Sequence, residues 1–254
     1  MPRIPMAEWQ AEHLRLTVFQ HGRVNPKPVD WWQQVAGTEP AEATMNLKRG
    51  SALVQGAFGP GQLLLRIEPD RIDWLFSPSE ELELGAATGF PVLGPAVELT
   101  DLFSNLAEKW FDRDDLPQIE RMAFGAVFLH PEEDRHSGYH RLPEYVPVRV
   151  DPETLDFLYQ INLPVAWSSI EAEGLHLNRL SKWSVAAFRR ITLDPAGNPA
   201  QPQPFPDMFA LRAELDINTS PSLSEPIPQS RLVKVYRELV QAGLDIATDG
   251  VTPK

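Results

Sequence analysis

Between His130 and His140 the chain reads His-Pro-Glu-Glu-Asp-Arg-His-Ser-Gly-Tyr-His, its densest run of imidazoles and carboxylates. Neutral imidazole and ionised carboxylate together bind zinc, manganese or iron, so His130, Glu132, His136 and His140 form one candidate ligand set. A spacing of four puts His136 and His140 on one face of a helix, but Gly138 weakens a helix there. The run follows an apolar stretch that reads as a buried strand, and a charged loop emerging into solvent accounts for it as well. Glu214 and Asp216, with Asn218 beyond them, form the second set. Alternate residues of a strand share a face, and two carboxylates side by side suit the divalent cation of a nuclease or phosphotransfer site. The lysine that often follows such a pair by two residues is replaced by Asn218, and a solvated sheet face explains the same residues.

A third group is basic and aromatic: Asn178, Arg179, Lys182 and Trp183. Cations beside an indole ring can grip a polar partner or a base, while a strand start with a core tryptophan and rim cations is the plainer account. The adjacent pair Trp31 and Trp32 points in directions about 100° apart on a helix, too wide for one narrow apolar stripe, so one of them is expected to face a partner. The chain contains no Walker A, G-x-G-x-x-G, G-x-S-x-G or H-E-x-x-H pattern. His130-Pro131-Glu132 fits the first half of a zinc deaminase signature, but the second half needs cysteine and the chain has none.

Those residues must be held by elements that the apolar pattern outlines. Proline lacks an N–H, and the 25 prolines fall mostly between the apolar runs. Strands are predicted over His13 to Gln20, Ala43 to Lys48 and Ser51 to Phe58. A hairpin runs from Gln62 to Ile67, turns at Glu68-Pro69-Asp70 and returns through Arg71 to Phe76. Later strands are Gln118 to Leu129, apolar on both faces and hence central, then Thr154 to Leu163, Leu175 to Leu177 and Lys182 to Leu193. Met208 to Asn218 alternates, with Phe209, Leu211, Ala213, Leu215 and Ile217 inward. Helices are predicted over Asp30 to Val35, near 100–112 with Thr100 as N-cap, and near 230–243 with Ser230 as cap and Gly243 as the stop. Residues 194–206 read as an exposed loop. The fold expected is α+β: antiparallel sheet packed by two amphipathic helices, one domain over 1–254, with a hint of two similar halves, 1–150 and 151–254.

A chain of 254 residues can bury a full core, and its net charge of -12, from 35 acidic against 23 basic residues, disfavours a phosphate backbone as partner. The absence of cysteine excludes disulfides, thiolate catalysis and cysteine-ligated metal. No signal-peptide core or stretch of bilayer-spanning length appears, which points to a cytoplasmic location away from membranes.

Leu14 to Phe19, the Leu102 to Trp110 helix, Glu120-Arg121-Met122-Ala123-Phe124-Gly125, Leu215-Asp216-Ile217-Asn218 and the final amphipathic helix carry a resemblance. In that order they resemble a sporadically distributed family of uncharacterised bacterial α+β proteins, with an Arg-Gly-Leu type strand in the middle and a Leu-Asp-Ile-Asp type strand near the end. Here Phe124 to Phe128 lacks the family's Tyr and Asn, and Asn218 stands in place of its last Asp. The resemblance carries no activity over, since none is established for the family; patchy distribution implies mobile loci such as toxin–antitoxin or anti-phage defence. The sequence thus points to a non-catalytic interaction subunit without a cofactor, which binds another protein or itself through Trp31, Trp32, Arg179, Lys182 and Trp183. A metal-dependent nuclease or hydrolase and a small-ligand sensor are the alternatives.

Overall fold

A computed structural model of the chain describes residues 3–21, 27–79, 89–166, 176–188, 207–220 and 225–251. Among the described residues the sheet expected from the alternating runs is one antiparallel sheet of eleven strands. Its strands are β1 Gln10–His21, β2 Glu42–Asn46, β3 Ser51–Phe58, β4 Gly61–Glu68, β5 Arg71–Ser77, β6 Gly94–Pro95, β7 Gln118–Glu132, β8 Leu158–Asn162, β9 Val165–Ala166, β10 His176–Phe188 and β11 Met208–Thr219. In space the order is β2-β3-β4-β5-β1-β7-β11-β10-β8, with β6 on β1 and β9 on β10. The described helices are α1 Pro28–Ala36, α2 Ala96–Phe111, α3 Arg135–Arg141 and α4 Gln229–Asp249.

The topology is close to a repeat. A long strand (β1), a helix (α1), a meander whose last strand β5 returns to pair with β1, and a longer helix (α2) are followed by β7, α3, a meander ending on β11 beside β7, and α4. The two leading strands pair antiparallel at the centre of the sheet.

Alternation then decides what each face carries. One row across the sheet, Val54, Leu65, Trp74, Leu16, Phe124 and Ile217, is buried throughout. The helices cover this side: α1 lies on β3 and β4, α2 on β1, α4 on β7 and β11, and α3 on β10 and β11.

Several local expectations change in the fold. The helix predicted near 100–112 starts at Ala96, directly after Pro95, and Thr100 is buried inside it rather than capping it. The final helix does not stop at Gly243. It continues to Asp249, and Gly250, at φ 75°, ends it. Gly243 instead admits close packing on the sheet: a Cβ there would stand 3.0 Å from Phe124 and 3.6 Å from Ile217. Residues 135–141 are helical rather than loop, because Asp134 and Ser137 form a reciprocal capping box. Within Thr154 to Leu163 only Leu158–Asn162 is strand. The loop expected over 194–206 lies outside the described residues.

Candidate functional site

The side of the sheet opposite the helices carries the polar half of each strand's alternation. From β1 it presents His13, Arg15 and Thr17, from β11 Arg212, Glu214, Asp216 and Asn218, and from β10 Asn178 and Lys182. Between β1 and β11 runs β7, whose residue in the row of Arg15 and Asp216 is Gly125. Having no side chain, Gly125 lets the Arg15 guanidinium cross it, and Nη2 donates to Asp216 Oδ2 at 3.0 Å. A Cβ at 125 would sit 3.1 Å from Arg15 Nε.

Around this bridge the groups interlock. Asn218 donates to Asp216 at 2.7 Å and accepts from Arg121 at 2.7 Å and from Asn178 at 3.1 Å. Lys182 donates to Glu214 at 2.7 Å, and Arg212 donates to Glu214 at 2.9 Å and to Glu12 at 3.3 Å. Burial pushes the Glu214 carboxyl upward, but hydrogen bonds and charge from Lys182 and Arg212 outweigh it and hold its pKa below the ordinary carboxylate value. On the β5 side, Thr17 donates to Asp73 at 2.5 Å and Arg71 to the same carboxylate at 2.7 Å. One corner of the face is apolar, where Phe90 and Val92 pack with Phe188 on Val127, Leu129 and Ala210.

His13, Arg15, Lys182, Glu214 and Asp216, with Gly125 as floor, line a shallow cleft of about 270 Å³. The His13 imidazole makes no hydrogen bond among the described residues. Burial lowers its pKa, the charges of Arg212 and Arg15 add to that, and Glu12 and Glu214 oppose it.

The first predicted ligand set divides. Glu132, with its side chain 3% exposed, accepts from Arg141 Nε at 2.6 Å and lies 3.1 Å from His130 Nδ1, whereas His136 and His140 are exposed on α3. Among the described residues no group of three or more His, Asp or Glu side chains is arranged to hold a metal. Glu214 and Asp216 do share a face, but each is already held by a cation of the chain.

The aromatic expectations are corrected. Trp31 and Trp32 are 1% and 0% exposed. Helix α1 sits in the angle between the sheet and α2, so both directions lead inward: Trp31 meets Trp110 at 5.8 Å and Trp32 stacks near Trp74 at 6.3 Å. The Trp31 indole N–H reaches Asp115 at 3.2 Å. Strand alternation splits the β10 group, because Trp183 is buried on the helix side, half-buried Arg179 shares that side, and Lys182 alone of the three lies on the polar face.

Arg15, Gly125 and Arg121 lie outside the predicted site residues. The signal for them is faint but present: an isolated glycine in a strand apolar on both faces marks a close approach, and His13-Leu14-Arg15 already alternates.

Compared with protein-family models and with curated proteins, the chain matches none. The polar sheet face therefore carries the functional reading by its chemistry alone.

Proposed function

We propose that the chain is a non-catalytic protein-interaction subunit whose contact surface is the polar face of its sheet. The observation that carries this reading is the contrast between the two faces. One is sealed by helices, while the other presents a fixed row of donors and acceptors from Lys182 through Glu214, Arg212 and Glu12 to Arg15 and Asp216. These charges are mutually held in place, so a partner meets them without paying much ordering entropy. Although the chain is strongly acidic, cations and carboxylates alternate here, which fits a protein surface of mixed charge better than a polyanion. A partner within a bacterial defence or toxin–antitoxin assembly is the setting that the strand-motif resemblance implies.

The test is native mass spectrometry of untagged protein drawn from its source cells, for wild type and for Lys182→Glu, Arg212→Glu and a helix-side control, Lys109→Glu. A stoichiometric protein partner that is lost with the two face substitutions and kept with the control is the expected result. A lone monomer, or a partner indifferent to both face substitutions, overturns the reading. The His13 cleft favours a second reading, a small-ligand sensor, for which the same spectra would show a bound small molecule in place of a protein.

A further inference from the structure

The cleft on the polar face holds hydrogen-bonding capacity that the chain leaves unused, and most of it is N–H. His13, Glu214 and Lys182 stand in one row across β1, β11 and β10, and Arg15 and Asp216 in the next, on either side of Gly125. A guanidinium carries five N–H groups and an ammonium three. Among the described residues Arg15 uses one of its own, on Asp216, and Lys182 one, on Glu214, while the His13 ring uses none. The acceptors are already engaged: both oxygens of Asp216 accept, from Arg15 and Asn218, and both of Glu214, from Lys182 and Arg212.

We infer that this cleft is a binding site for one small oxyanion, a carboxylate or phosphate group, which enters together with a proton taken up by His13. The unused N–H groups of Arg15 and Lys182, side chains 35% and 31% exposed, are the donors that an acceptor-only group needs. The two cations and two carboxylates of the cleft balance, so the charge of an incoming anion calls for one more cation, and an imidazole is the group that can supply it near neutral pH. Burial keeps that imidazole neutral at pH 7 without the anion. Glu12 and Arg15 on β1, Arg212 and Glu214 on β11 and Lys182 on β10 are the charged groups around the ring, whereas β7 adds only Gly125, Ala126 and Val127 and β5 places Leu75 beside Arg15.

Size and charge limit the ligand to a single group. The volume of about 270 Å³ lies below that of ordinary drug-sized pockets, and Glu214 and Asp216 beside the donors repel the next phosphate of a nucleic-acid backbone. Either a free small molecule or an acidic side chain of the protein partner proposed above carries such a group, and the cleft meets the same chemistry in both. The site rests on the small-ligand reading of the cleft and gives that ligand its class; it stands without any protein partner.

Calorimetric titration of the full chain with sodium sulfate and with sodium acetate tests it, since both anions keep their charge between about pH 8 and about pH 6. Binding is expected to tighten by up to about tenfold per pH unit as pH falls, the slope of one linked proton, and proton NMR should show the His13 ring protonating at higher pH when sulfate is present. Lys182→Met and Arg15→Met should each weaken sulfate binding roughly tenfold, His13→Gln should remove the pH slope, and Lys109→Met on α2 should change nothing. In the native spectra, sulfate that displaces a protein partner assigns the oxyanion to that partner's side chain, and a partner that stays bound assigns it to a free ligand. A wild type that binds neither anion, or binding unaltered in Lys182→Met and equally pH-dependent in His13→Gln, overturns the inference, whereas a missing partner overturns the interaction reading alone.

Discussion

Arg15 on β1 reaches Asp216 on β11 by crossing Gly125 of the strand between them, and the bridge of 3.0 Å exists because that one position has no side chain. Both partners are about one-third exposed, 35% and 32%. A double-mutant cycle with Arg15→Met and Asp216→Asn is therefore expected to give a coupling of about 0.5–1 kcal/mol, the range of a partly exposed pair. In a Gly125→Leu background the crossing is blocked and the coupling should vanish; urea denaturation of the two sets of variants measures it. An unchanged coupling would mean that Arg15 finds Asp216 by another path.

His13 makes the fold less stable as the solution is acidified below 6.5. Its pKa is lowered by burial from 6.5, so below 6.5 the unfolded chain takes up a proton that the folded chain refuses. Stability from this source is complete above 6.5 and declines as pH falls toward the folded value. Glu12 and Arg15 on β1, Arg212 and Glu214 on β11 and Lys182 on β10 surround the ring. Glu132 and Glu214, held below 4.5, lose their contribution only at lower pH, as the solution passes through their folded values. Denaturation curves between pH 6.5 and 4.5 should therefore slope less for His13→Gln than for the wild type.

Two buried tyrosines should respond oppositely to loss of the hydroxyl. Tyr236 is 0% exposed, its hydroxyl has no hydrogen-bond partner among the described residues, and burial raises its pKa steeply. Tyr236→Phe is expected to be neutral or to stabilise by up to about 1 kcal/mol, because an unsatisfied polar group is removed. The Tyr145 hydroxyl accepts from the Ile4 N–H at 2.7 Å, and Tyr145→Phe leaves that buried donor unpaired at a cost of about 1–2 kcal/mol. Thermal melts of the two variants distinguish them.

Gly138 lets α3 approach β10. A Cβ there would lie 2.9 Å from both methyl groups of Val185. Gly138→Ala should destabilise by about 1–3 kcal/mol through overpacking, despite the better helix propensity of alanine. Adding Val185→Ala should recover part of that loss; if the double variant is as unstable as the sum of the single ones, the contact is not the cause.

By itself the sequence determined the elements whose pattern is local. The β4–β5 hairpin follows from Pro69 between two alternating runs, and β11 from the strict period of Leu211, Ala213, Leu215 and Ile217. The central place of β7 follows from its having apolar residues on both faces. Only the tertiary structure decided the rest. A two-residue period shows that Arg212, Glu214 and Asp216 share a face, but not that Arg15, some two hundred residues earlier, completes it across Gly125. Nor could it show that the wide angle between Trp31 and Trp32 is buried whole, since that depends on α1 lodging between the sheet and Trp110 of α2. Exposure and pairing are properties of surfaces brought together from distant segments, and local periodicity carries no information about which surfaces meet.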